Sequence, residues 1–200
     1  MKAFNIVVCA SGGGGNFRSL IRHQSNYGYH ISLLITDREC KAIDVANENH
    51  ISCIVLEKKK LGDFFFEEFE NSIPQDTHLI VLAGFFPIIP HWICDKWERK
   101  IVNTHPSLLP EYGGKGMYGV KVQEAVLRNR EKYAGCTVHY VNAEIDTGEI
   151  IYQKRICVKE NESAWELGGR VFNEEIKLLP LAIKKIREEQ LRLARTPLQI

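Results

Sequence analysis

Asn103 and His105 stand two residues apart in "VNTHPSLLP" (102–110), with a proline directly after the His and another at 110. Near the end of a strand, positions i and i+2 face the same way, so an amide and an imidazole would project together. Pro106 confines His105 to extended backbone, and Pro110 stiffens the chain beyond it. An Asn amide can donate to an oxygen that gains negative charge; a His can donate to the same oxygen and carry protons. That combination suits acyl transfer. A carboxylate would complete it by orienting the imidazole. "EIDTGE" (144–149) offers Asp146, with Glu144 and Glu149 as competitors. The other histidines, at 23, 30, 50, 78, 91 and 139, are read as satisfied structural residues, and none has the spacing of a zinc site.

A second stretch, "CASGGGGNFRSLI" (9–21), follows an apolar run and opens a helical one. Glycines let backbone approach a ligand closely, and a helix N-terminus offers free N–H groups to an anion. Gly14, Gly15 and Asn16 are therefore candidates for holding a phosphate. The Lys-Ser/Thr ending of a Walker loop is absent. The dinucleotide fingerprint fits loosely, since Phe17 falls where a small residue should pack. The structural alternative is a tight strand–helix turn capped by Asn16. Asp37 ends the second strand, as a dinucleotide reading would require, but the glycine loop fits that reading poorly.

These residues need a scaffold. Short apolar runs at 4–10, 30–36, 52–57, 78–84 and 100–106 alternate with helical patterns at 16–24, 41–49 and 62–73. Such alternation predicts an α/β fold with a Rossmann-like, doubly wound, mostly parallel sheet. The second half differs. After a helix at 121–129 come two longer alternating strands, 135–142 and 149–158, which predict an antiparallel extension. From Ser163 to about Gln190 runs a long helix that Gly168, Gly169 and Pro180 should disturb. The expected organisation is one domain over 1–190, with a phosphate-binding half (1–100), a catalytic half (101–190) and a tail (191–200).

The bulk numbers exclude several classes. The net charge is +1, from 26 basic and 25 acidic residues, and gives no footprint for nucleic acid. The basic runs at 58–60 and 184–187 sit among acids, as on a solvated face. No apolar run reaches the roughly 18 residues of a membrane span. The six cysteines lack C-x-x-C spacing, and most lie in apolar runs. Reduced, buried thiols in a cytoplasmic protein without metal are expected.

Five stretches together resemble one family, the glycinamide ribonucleotide transformylases and related folate-dependent N-formyltransferases: "ASGGGGN", "VLAGFFPII" (81–89), "NTHPSLLP", "GGKGMYG" (113–119) and "DTGEII" (146–151). The likeness covers about residues 4 to 182. It implies 10-formyltetrahydrofolate as formyl donor and Asn103, His105 and Asp146 as the catalytic trio. It implies a folate site formed by Phe85, Phe86, Ile88 and Ile89 with Asn142, Ala143 and Glu144. It places the acceptor against Gly14, Gly15, Asn16, Pro106 and Glu175. The implied partners are small molecules: the folate, and a sugar amine bearing phosphate. A homodimer is compatible with it.

The chain departs from the family pattern mainly on the acceptor side. Gly15 replaces Ser or Thr, Phe172 a polar residue, Ile176 a His beside Glu175, and Gln123 a His; on the donor side Pro87 replaces an Arg. An intact trio beside an altered acceptor site leads to the expectation of an amino sugar carried on a nucleotide diphosphate. The alternative is glycinamide ribonucleotide, as in purine synthesis. A third reading, formyltetrahydrofolate hydrolase, is disfavoured because such enzymes carry an extra N-terminal domain and this chain begins at its first strand.

Overall fold

The computed structural model describes residues 3–194. Strand β1 (Phe4–Ala10) leads through the glycine loop into helix α1 (Gly15–Tyr27), then β2 (Tyr29–Thr36), α2 (Lys41–Glu48) and β3 (Cys53–Val55). Helices α3 (Lys58–Leu61) and α4 (Phe65–Asn71) precede β4 (Leu79–Leu82), and α5 (His91–Lys96) precedes β5 (Ile101–His105). Then follow α6 (Val120–Arg128), the long strands β6 (Tyr133–Tyr140) and β7 (Ile150–Cys157), and α7 (Ala164–Leu193).

The seven strands form one sheet in the order β3-β2-β1-β4-β5-β6-β7. The first five are parallel, and β6 and β7 join antiparallel. This is the Rossmann-like sheet with the extension expected. It runs unbroken through residue 100, because β4 pairs directly with β5.

Alternation along β1 builds the two layers. Phe4, Ile6 and Val8 join the face covered by α1, α2 and α7; Val7 and Cys9 join the face covered by Phe65 and Phe69 of α4 and Ile93 of α5. Being buried on both faces makes these strands continuous apolar runs. Truncating a ring such as Phe69 to Ala should cost about 3–5 kcal/mol.

Helix α7 differs from expectation: it passes Gly168, Gly169 and Pro180 without a break and ends at Leu193, inside the segment expected to be tail. A proline inside a helix costs roughly 3 kcal/mol. Burial of Leu179, Ala182, Ile183 and Ile186 in the main core offsets it. A Cβ at Gly168 would make an ordinary 3.5 Å contact with Gln123 of α6, so packing does not require glycine there. The tail expectation for 195–200 lies outside the described residues.

Among the described residues no helix is long and apolar enough to cross a membrane. Cys9, Cys94 and Cys136 are buried, but Cys40 and Cys53 are half-buried and Cys157 is exposed, because the apolar runs around them lie at surface edges. Burial pushes the Cys136 thiol up to about 12 and Cys53 up to about 11, so neither is a ready nucleophile.

Candidate active site

The sheet order reverses between β1 and β4, and open α/β sheets bind ligands beyond the carboxyl ends of strands at such a point. A cleft of about 1040 Å3 lies there. It brings together all fifteen residues singled out from the sequence: Asn103, His105, Asp146, Phe85, Phe86, Ile88, Ile89, Asn142, Ala143, Glu144, Gly14, Gly15, Asn16, Pro106 and Glu175. None of the six cysteines lines it.

Asn103 and His105 project from the end of β5 as the two-residue spacing predicts. His105 is 4% exposed. Its Nε2 donates to the Tyr112 carbonyl (2.9 Å), and its Nδ1 faces Asp146 Oδ2 at 3.5 Å. Tyr112 turns its carbonyl inward from a left-handed backbone (φ 55°). Its hydroxyl ties the loop to Glu131 and Asn129.

Asp146 also has a left-handed backbone (φ 59°), which an Asp tolerates at a cost of order 1 kcal/mol. The strain is held by tertiary contacts. Gly114 N–H donates to Asp146 Oδ2 (2.9 Å). A Cβ on Gly113 would come 3.2 Å from Asp146 Cβ and 2.7 Å from the tip of Leu109, so a side chain there would press on the carboxylate and the buried Leu109. At Gly148 a Cβ would lie 1.8 Å from the Tyr140 carbonyl, so glycine is what lets the chain return from Asp146 into β7.

His139, expected to be structural, belongs to the site. It stands opposite Asn103 in the β5–β6 ladder. Its Nδ1 donates to the Tyr140 carbonyl (2.8 Å), leaving Nε2 to accept from Asn103 Nδ2 at 3.3 Å. Burial pushes its imidazole below the ordinary value, although the Tyr140 carbonyl and Asp146 pull the other way. The 3.7 Å approach of Nε2 to Asp146 Oδ1 is therefore no ion pair at neutral pH. A neutral His139 fixes which end of the Asn103 side chain is the amide donor. The signal was available only as a cross-strand register, which a single strand does not display.

The other end of the cleft is the glycine loop. Gly14, not Asn16, caps α1, with φ 73° and no side-chain cap. A Cβ there would meet Ala42 Cα at 3.0 Å, so both conformation and packing demand glycine. The first amides of α1 are thus left for an anion. Asn16 is the second helical residue and instead donates to Glu175 Oε2 (3.2 Å), which also accepts from Thr104 Oγ1 (3.4 Å). Burial lifts the Glu175 carboxyl to about 7. Elsewhere the cleft could take a flat heterocycle: Phe85, Phe86, Ile88, Ile89 and Val141 give apolar walls beside the 142–146 turn.

A Rossmann-like sheet with a glycine loop at one end of its cleft and an amide–imidazole–carboxylate set at the other places the protein among the α/β group-transfer proteins. The formyl transferase family model matches residues 4–183, and the chain belongs to that family. Its relatives include the chloroplastic phosphoribosylglycinamide formyltransferase of Vigna unguiculata, 35% identical over 93% of this chain and 62% of that protein. The phosphoribosylglycinamide formyltransferase of Bacillus subtilis is 34% identical over 93% of this chain and 95% of its own length. The crystal structure of phosphoribosylglycinamide formyltransferase from Anaplasma phagocytophilum superposes with TM-score 0.85 at 32% identity, covering 94% of this chain and 89% of that one. The chain thus spans less than two thirds of the Vigna protein and nearly all of the Bacillus one.

These relatives overturn the expectation of a nucleotide-linked amino sugar as acceptor: each is named for phosphoribosylglycinamide. Some of the departures behind that expectation have local explanations. Phe172 packs on Gly15. Gln123 donates to the Pro106 carbonyl (2.8 Å) and so supports the catalytic turn. Ile176 has no such explanation in the structure.

Proposed function

We propose that the protein moves a formyl group from 10-formyltetrahydrofolate to the amine of glycinamide ribonucleotide. The observation that carries this reading is the convergence of Asn103, His105 and Asp146 between an apolar cleft half and an anion cradle. Folate supplies the formyl group when bound, against Phe85–Ile89 and the 142–146 turn. Gly14, Gly15 and Asn16 hold the acceptor's phosphate, and Pro106 and Glu175 flank its sugar.

Asn103, oriented by His139, donates to the formyl oxygen as negative charge develops there. The His105 Nε2 proton, which donates to the Tyr112 carbonyl, exchanges that partner for the formyl oxygen and is a second donor to it. Asp146 orients the imidazole from the Nδ1 side. As the acceptor amine bonds to the formyl carbon, that carbon's bond to the folate nitrogen breaks. The proton the amine sheds passes by way of Asp146 to that nitrogen, which leaves as tetrahydrofolate. Removing one such donor typically costs about 10²–10³ in kcat. Six free cysteines fit a reducing compartment such as cytoplasm, and the chloroplastic Vigna relative makes the compartment part of the proposal.

The test is tetrahydrofolate release from 10-formyltetrahydrofolate with glycinamide ribonucleotide, against a blank without acceptor. Release that requires the acceptor supports the transferase. Equal release in the blank would make the protein a hydrolase, and no release in either would refute the reading.

A further inference from the structure

Gly15 and Phe172 both line the glycine-loop end of the cleft, and they touch. A Cβ built on Gly15 would lie 2.4 Å from Phe172 Cζ and 3.1 Å from Cε1. The tip of the ring rests on the glycine backbone, in the volume a side chain at 15 would fill. Gly15 lacks the left-handed φ of its neighbour Gly14, so the ring, not the backbone, demands glycine here.

Helix α7 carries the ring and is itself fixed by its N-terminus and its buried face. Ser163 and Glu166 form a capping box at its N-terminus, and Leu167 and Val171 are fully buried on either side of the glycine pair. Phe172 is also a wall shared by two depressions. One is the cleft; the other, about 540 Å3, is lined by Lys159, Glu162, Glu166, Arg170 and Asn173. The ring therefore marks where the cleft ends. An apolar wall beside free amides excludes water, and hydrogen bonds to an anion strengthen as the local dielectric falls.

We infer that Phe172 is an acceptor-specificity residue: its ring borders the cleft over Gly15 and strengthens the hold of the first α1 amides on the acceptor's phosphate. The inference rests on the transferase reading and names the part of the acceptor that these residues recognise. Gly15 and Phe172 are then a compensated pair. A hydroxyl at 15 and the ring at 172 compete for one space, so the ring tip must shift to admit it, whereas a small residue at 172 admits it directly.

The experiment is a double-mutant cycle with glycinamide ribonucleotide on wild type, Phe172→Ala, Gly15→Ser and the double variant, with KM and kcat read separately. Phe172→Ala should raise the acceptor KM about tenfold, as when one charge-assisted contact weakens. The folate KM should stay unchanged, and inhibition by inorganic phosphate should weaken by about the same factor. Gly15→Ser alone should also raise the acceptor KM, and the double variant should recover most of that loss. The same cycle with Phe172→Leu covers an alanine variant that does not fold. An unchanged acceptor KM in Phe172→Ala and Phe172→Leu, or single effects that simply add, would overturn the inference and leave the transferase standing. A wild type that never formylates the acceptor would overturn both.

Discussion

Glu175 is a carboxyl built to be neutral near pH 7, and its stability linkage can be worked from the structure. It is 7% exposed, between Asn16 and Thr104. Burial lifts it from the ordinary 4.5 to about 7, and the two hydrogen bonds recover only part of the penalty. The native state therefore keeps this proton where the unfolded chain has lost it. The resulting stability is fully present below about pH 4.5 and is lost as pH rises through about 7. At roughly 1.4 kcal/mol per pH unit, that window amounts to about 3 kcal/mol. Glu175→Gln keeps the shape and an oxygen for Asn16 but cannot ionise. Thermal melts of wild type and variant should nearly coincide near the acid limit. By about pH 8 they should separate by about 3 kcal/mol in favour of Gln, or some 6–12 °C for a chain of this size. A gap that stays constant with pH would refute the reasoning, because it would mean that Glu175 ionises alike in both states.

Three further outcomes follow from the catalytic end. Asp146→Asn should lower kcat by about 10²–10⁴ while folate affinity, read by binding fluorescence, is largely kept; near-normal turnover would sink the assignment. His139→Leu removes the acceptor that orients Asn103, so kcat should fall about 10–100-fold, the cost of one misplaced buried hydrogen bond. His139→Gln, whose carbonyl can accept, should recover part of it. Gly113→Ala presses a methyl group on Asp146 and Leu109, and kcat should drop by about 10²-fold, the scale of a misplacement near 1 Å, with little change in acceptor KM.

Much of this protein was legible in one dimension. The apolar runs separated by helical patterns specify a buried parallel sheet because a strand covered on both faces can expose no polar side. The two-residue spacing of Asn103 and His105, confined by Pro106, specifies co-facing side chains because strand geometry has a period of two. The glycine run before α1 marks a close backbone approach, which Gly14 meets with a left-handed φ. Other features needed the third dimension. His139 joins the site through its register with Asn103, 36 residues away, which no local pattern encodes. Helix α7 ignores Gly168, Gly169 and Pro180 because packing against the core outweighs local propensity. Asn16 became a partner of Glu175, 159 residues away, because Gly14 already turned the chain into the helix. Gly15 and Phe172 read from the sequence as two independent losses of polarity. Only their contact shows that one residue occupies the space the other gave up.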